Sequence, residues 1–148
     1  MTTVQIYDAR QNEVVVLEKI EKSDKEWEPM LTKGQYEITT RKGTEAPGTC
    51  LFDVHGVGIF RCMRCGIGLF HSFTKFDSGT GWPSYYQPIS PLNVVEQPDM
   101  SLGMVRTEVL CARCNSHLGH VFDDGSPPTG KHYCINGLAL KYVPENKL

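Results

Sequence analysis

The chain has 148 residues, 40% of them hydrophobic, with a formal net charge of -2. That length suits a single domain with its own core, and no apolar run approaches the roughly 20 residues of a membrane span. No basic block offers the electropositive footprint of a nucleic-acid binder, and Asp8, Arg10 and Glu13 interrupt the N-terminus too early for a signal peptide, so a cytoplasmic, reducing setting is expected.

In chain order, the run Val14-Val15-Val16-Leu17 predicts a short strand. Two capping boxes follow. Ser23 with Glu26 predicts a helix through Trp27 to Leu31, and Thr32 with Gln35 a second through Tyr36 to Thr40. From Gly43 onward strand and turn signals dominate. Val57 to Arg61 and Leu69 to His71 predict a hairpin with a cysteine turn at its tip. Met104 to Leu110 and Ser116 to Phe122 predict strands into and out of a second such turn, and His132 to Ile135 and Leu138 to Val143 the last two. The stretch from Asp123 to Gly130 is loop. Fourteen glycines and nine prolines, spread through the chain, fit many short elements. The expected architecture is one mainly β, antiparallel domain at residues 23–148, with short N-terminal helices and an extension at residues 1–22.

Four of the six cysteines form two C-x-x-C pairs, Cys62/Cys65 and Cys111/Cys114, separated by 45 residues. Each pair can present two thiolates on one tight turn, and two turns complete a tetrahedron around one structural zinc ion. Gly66 and Asn115 follow the pairs, residue types that accept a left-handed turn. The alternative is two thioredoxin-like dithiols, but neither pair opens a helix after a strand.

A second group gathers later: Trp82, His117, His120, Asp124, His132, Cys134 and Asn136. Each has a bland reading. Cys134 alone is most simply a small buried hydrophobe, the histidines satisfied core or surface residues, Asp124 a solvated turn residue, and Trp82 a core plug. Along a strand, however, His132, Cys134 and Asn136 share a face by period two, which suits a pocket better than a core. His117 and His120 suit hydrogen bonding to a substrate oxygen and holding a proton near neutral pH.

The segments Asp77-Ser78-Gly79-Thr80-Gly81-Trp82-Pro83-Ser84, Arg106-Thr107-Glu108-Val109, Ser116-His117-Leu118-Gly119-His120-Val121-Phe122 and Tyr133-Cys134-Ile135-Asn136 resemble the signature segments of B-type methionine sulfoxide reductases, in the family's order. The similarity runs from about Ser23 to Pro144 and includes both cysteine pairs. It implies two antiparallel sheets, a structural zinc on Cys62, Cys65, Cys111 and Cys114, and reduction of the R epimer of methionine sulfoxide in proteins or peptides. It further implies Cys134 as nucleophile, passing through a sulfenic acid that a thioredoxin-like or small-thiol reductant clears. Trp82 would pack on the substrate methyl group. His117, His120 and Asn136, with Asp124 and His132 nearby, would bind the sulfoxide oxygen directly or through water. Nothing in the sequence demands more than a monomer.

Two positions depart from the family pattern. Thr80 stands where many members carry a resolving cysteine, which leaves Cys50 or an external thiol for that step. His132 stands where arginine is usual, so a permanent charge becomes one that titrates. A different class stays open too: a zinc-knuckle β module that binds protein partners without catalysis.

Overall fold

A computed structural model describes residues 2–44, 57–79, 81–125 and 128–144; Cys50 and Thr80 lie outside these. The chain begins with a hairpin of β1 (Thr3–Asp8) and β2 (Glu13–Glu18), in which Asp8 faces Glu13. Its turn uses the left-handed conformation at Asn12 (φ 54°), a residue that tolerates it. The Asp8 carboxylate accepts the backbone N–H groups of Arg10 and Gln11. The sequence signals β2 but not β1, because Ile6 is the one β1 side chain that is fully buried, which leaves little periodicity.

Both predicted capping boxes form. Ser23 Oγ accepts from the Glu26 N–H while Glu26 accepts from the Ser23 N–H, and Thr32 and Gln35 repeat the pattern, opening α1 (Asp24–Trp27) and α2 (Lys33–Thr39). The first helix stops sooner than expected. Pro29 lacks an N–H donor, and Glu28–Met30 tightens into a 3-10 turn.

Two larger antiparallel sheets carry the domain, as the resemblance implied. The smaller has the order β11 (Leu140–Pro144), β3 (Gly58–Cys62), β4 (Gly68–His71). The larger begins with β5 (Lys75–Phe76), β6 (Ser84–Tyr85) and β10 (His132–Ile135). It continues through β9 (His117–Phe122) and β8 (Arg106–Cys111) to β7 (Val94–Asp99). β7 carries no clear strand signal in the sequence. Pro98 interrupts its donors, which an edge strand tolerates and a central one does not.

Residues paired across an antiparallel ladder point to the same face. One face of the larger sheet thus carries Val109, Val121, Tyr133, Ile135 and Tyr85, all buried. They meet Phe60 and Phe70 of the smaller sheet: the Phe70 and Tyr85 rings stack at 4.3 Å, and Phe60 meets Tyr85 edge-on at 5.2 Å. The opposite face of the larger sheet is left for polar residues.

The N-terminal hairpin is fastened to this body. Asn93 accepts from the Tyr7 N–H at 2.9 Å and donates to the carbonyls of Tyr7 and Gly68. Lys19 Nζ reaches the Ala112 carbonyl at 3.0 Å, Arg113 Nε donates to the Glu18 carbonyl, and the Ile20 N–H donates to the Arg113 carbonyl. Ile6 belongs to the main core at 1% exposure. Ile6→Ala should therefore destabilise the whole protein by about 2–5 kcal/mol, whereas Val16→Ala on the exposed side of β2 should change stability by less than about 0.5 kcal/mol. Urea unfolding of both variants checks this.

Candidate active site

The tips of the two β-turns converge. Cys62 Sγ lies 3.6 Å from Cys114 Sγ, and Cys65 Sγ lies 3.5 Å from Cys111 Sγ. All four sulfurs are within 4.8 Å of one another. A tetrahedron with metal–sulfur bonds of about 2.3 Å has sulfur–sulfur edges of about 3.8 Å, so this donor set fits a metal ion. The turns meet the geometric demand with left-handed residues, Gly66 at φ 84° and Asn115 at φ 61°. Burial, together with the neighbouring Cys114 and Cys62, pushes the Cys111 thiol up. Arg64 ties the two turns together, donating to the Cys114 carbonyl at 2.9 Å while its guanidinium stacks on Trp27.

The polar face of the larger sheet holds the second group. Its organisation depends on one irregularity: Val109 pairs with Gly119 but Leu110 pairs with His117, so Leu118 is an extra residue in β9. In a regular strand, residues three apart point to opposite faces. The bulge instead turns His117 to the face that carries His120, and their rings lie 5.6 Å apart. Asn136 is attached to the same irregularity, its backbone and side-chain N–H groups both donating to the Leu118 carbonyl. Gly119 opposite Ile135 is equally specific, since a Cβ there would collide with the Cys134 carbonyl oxygen. Only glycine allows β10 this close.

Cys134, Trp82, His120 and Asn136 line one cavity of about 80 Å³, with Phe122 as an apolar wall, the β10 backbone at Ile135 behind it and Arg106 also in its lining. Trp82 is placed by the Pro83 carbonyl, which accepts from the Ile135 N–H at 3.0 Å, and by Ser84 Oγ, which donates to the Trp82 carbonyl. Two of the residues at this site have no role in the sequence reading. Asp99 Oδ2 accepts from His120 Nε2 at 2.7 Å, a hydrogen bond that, with one from the Ser101 N–H, holds the Asp99 carboxyl well below the ordinary range. Arg106 lies 3.4 Å from the same carboxylate. Their shared face follows from the pairing of Asp99 with Arg106 at the end of the β7–β8 ladder, and β7 itself goes unread in sequence.

The remaining candidates lie around this cavity rather than in it. His117 is buried beside it, with Nδ1 3.0 Å from Glu108 Oε2. Glu108 also accepts from Gln97 at 2.6 Å and Lys42 at 3.2 Å. His132 shares the Cys134 face, but Ser84 Oγ at 3.0 Å and Asp124 Oδ1 at 3.4 Å engage its two nitrogens. Lys131 pairs with Asp123 at 2.8 Å on the exposed loop. Among the described residues no helix is long and apolar enough to cross a membrane.

The SelR domain family matches residues 31–144 of the chain. The chain is 51% identical over 131 residues to a peptide methionine sulfoxide reductase MsrB of Pseudomonas syringae, covering 88% of this chain and 100% of that protein. A protein of the same name from Hahella chejuensis is 49% identical over 127 residues, covering 85% and 91% of the two chains. Another, from Thiobacillus denitrificans, is 52% identical over 126 residues, covering 84% and 96%.

Burial pushes the His117 pKa below its ordinary value, and the Glu108 carboxylate only partly restores it. The folded state therefore binds this proton more weakly than the unfolded state. The ring's contribution to stability is complete above about pH 6.5, the unperturbed value, and is lost as pH falls toward the lowered folded value. In an NMR titration the His117 midpoint should lie below the unperturbed one, and Glu108→Gln should lower it further by removing the carboxylate that favours the charged ring. An upward move in the variant would refute the assignment.

Proposed function

The chain belongs to the SelR-domain family, the B-type methionine sulfoxide reductases, and from that premise we propose that it reduces methionine (R)-sulfoxide in peptides or proteins with Cys134 as nucleophile. Membership makes it an oxidoreductase. The observation that carries the finer reading is the convergence of Cys134, Trp82, His120 and Asn136 on one small cavity. A non-catalytic binding module has no need of that convergence.

The thiolate of Cys134 attacks the sulfoxide sulfur. As the sulfur–oxygen bond breaks, the oxygen passes to the Cys134 sulfur and one proton is taken up, giving methionine and a cysteine sulfenic acid. The substrate sulfur gains two electrons, and the Cys134 sulfur loses them. Trp82 and Phe122 enclose the methyl group, a sulfur–aromatic contact worth roughly 0.3–1.5 kcal/mol. Asn136 is fixed by the Leu118 carbonyl and His120 by Asp99, so both reach the oxygen without first being ordered. His117, buried and biased toward its neutral form, keeps its neighbour His120 in place. Arg106 in the cavity lining favours the thiolate, the role for which His132 lacks a permanent charge. A first thiol then condenses with the sulfenic acid, releasing water and forming a disulfide, and a second thiol reduces that disulfide.

The sulfur cluster is distinct from this chemistry. Four thiolates would close the shell of one zinc ion, which leaves no open position for substrate. We assign zinc a bracing role between the turns of the two sheets. Elemental analysis should return one zinc per chain, and Cys111→Ser should lose the ion together with most of the folding stability, seen as a large drop in melting temperature.

Turnover of a peptide containing methionine (R)-sulfoxide, with dithiothreitol as reductant, tests the reaction. Cys134→Ser should abolish it, and His120→Ala should lower kcat about 100-fold or more. Activity persisting in Cys134→Ser would refute the assigned nucleophile. Mass spectrometry after one turnover separates the two routes of regeneration. A Cys50–Cys134 disulfide assigns the resolving step to Cys50, and a persisting sulfenic acid assigns it to an external thiol.

A further inference from the structure

The turn between β7 and β8 begins and ends on residues of the site. Asp99 holds His120, Arg106 borders the cavity, and the two are paired across the ladder. Between them the sequence Met100-Ser101-Leu102-Gly103-Met104-Val105 contains no charge. Met100 is 66% exposed, Met104 52% and Val105 76%. These apolar side chains stand on a held backbone: the Ser101 N–H donates to Asp99 Oδ1 at 2.9 Å, Arg106 reaches Ser101 Oγ at 3.5 Å, and Gly103 takes a left-handed φ of 71°. Exposed apolar groups clustered on one ordered turn mark an interaction site more often than singly scattered ones do.

The size of the cavity says how much of a substrate stays outside it. At about 80 Å³ it is far smaller than the roughly 300–1,000 Å³ of sites that swallow a whole small molecule. It takes the end of one side chain, so the backbone and neighbours of a substrate methionine must cross the rim. Methionine is mostly a core residue, so the segments that carry it are rich in apolar neighbours. Two methionines on the turn give a surface that repacks around varied partners, as an enzyme acting on many sequences requires.

We propose that the Met100–Val105 turn is a docking lip for the apolar residues that flank methionine sulfoxide in an unfolded polypeptide, a proposal that rests on the reductase reading above. The lip selects polypeptide over free amino acid by adding contacts outside the cavity, and it leaves the chemical step unchanged.

The test compares wild type with the triple variant Met100→Ser, Met104→Ser, Val105→Ser on three substrates, with dithiothreitol as reductant. These are N-acetylmethionine (R)-sulfoxide amide, a peptide with leucines on both sides of the sulfoxide, and the same peptide with serines. The variant should lose about ten-fold in kcat/KM on the leucine peptide, mainly through KM, and keep wild-type values on the amide. Its retained amide turnover also reports correct folding. An unchanged ratio of leucine peptide to amide overturns the lip, as does an equal loss on both, which would make the turn a support for the chemistry. A wild-type dimer that becomes monomeric in the variant, with unaltered peptide kinetics, would make a second copy of the chain the occupant and overturn it too. Failure of wild type on the amide itself refutes the reductase reading, and the lip falls with it.

Discussion

The backbone ladder of β9, held between β8 and β10, is the constraint on which the site depends. Its single extra residue, Leu118, turns His117 onto the face of His120, and the carbonyl of that same residue anchors Asn136. One position further, Gly119 lets β10 close on β9 with no side chain between them, which places Cys134 opposite His120. Polar groups so placed need no loop rearrangement to meet. They stand on paired strands whose far face is the aromatic core, so displacing Cys134 would mean opening the packing of Tyr133 and Ile135.

Hydrogen-bonded carboxylates run along the outer face of the sheet and set the character of each histidine. Asp99 is partly exposed and binds His120 beside the cavity, whereas Glu108 is buried and shared among Gln97, Lys42 and His117. Burial opposes the Glu108 charge, but three donors outweigh it and keep the group ionised. Two histidines on one strand thereby receive different surroundings: His117 is enclosed and biased toward neutrality, and His120 is turned to the cavity with its Nε2 committed. The polar outer face and the aromatic inner face come from the same alternation, so core and site are two readings of one set of strands.

The parts legible in the sequence are those whose cause is local. Capping boxes satisfy donors within four residues, so α1 and α2 are readable at Ser23 and Thr32. C-x-x-C turns carry their own spacing, and β3, β4, β8, β9 and β10 alternate strongly enough to be placed within a residue or two. β1 and β7 are illegible for opposite reasons, one having a single fully buried side chain and the other a proline. The site divides in the same way. Cys134, Trp82, His120 and Asn136 stand out by residue type and motif, but Asp99 and Arg106 matter only through a pairing register that no local pattern encodes. The His117 orientation needs a bulge, and strand period alone gives the wrong face.

The fastening of the N-terminal hairpin bears on the order in which the molecule can assemble. Lys19 and Ala112 are separated by 93 positions, and Tyr7 and Asn93 by 86. A chain emerging from its first residue onward makes β1 and β2 early, but the surface that receives them does not exist until the second cysteine turn has closed. Ile6 stays without its core partners during that interval. Such distant contacts must repay a long loop closure before they contribute, which slows collapse and lengthens the time an apolar strand is exposed. β1 and β2 are thus made before the surface that secures them, and their docking registers that the chain has folded through the second cysteine turn.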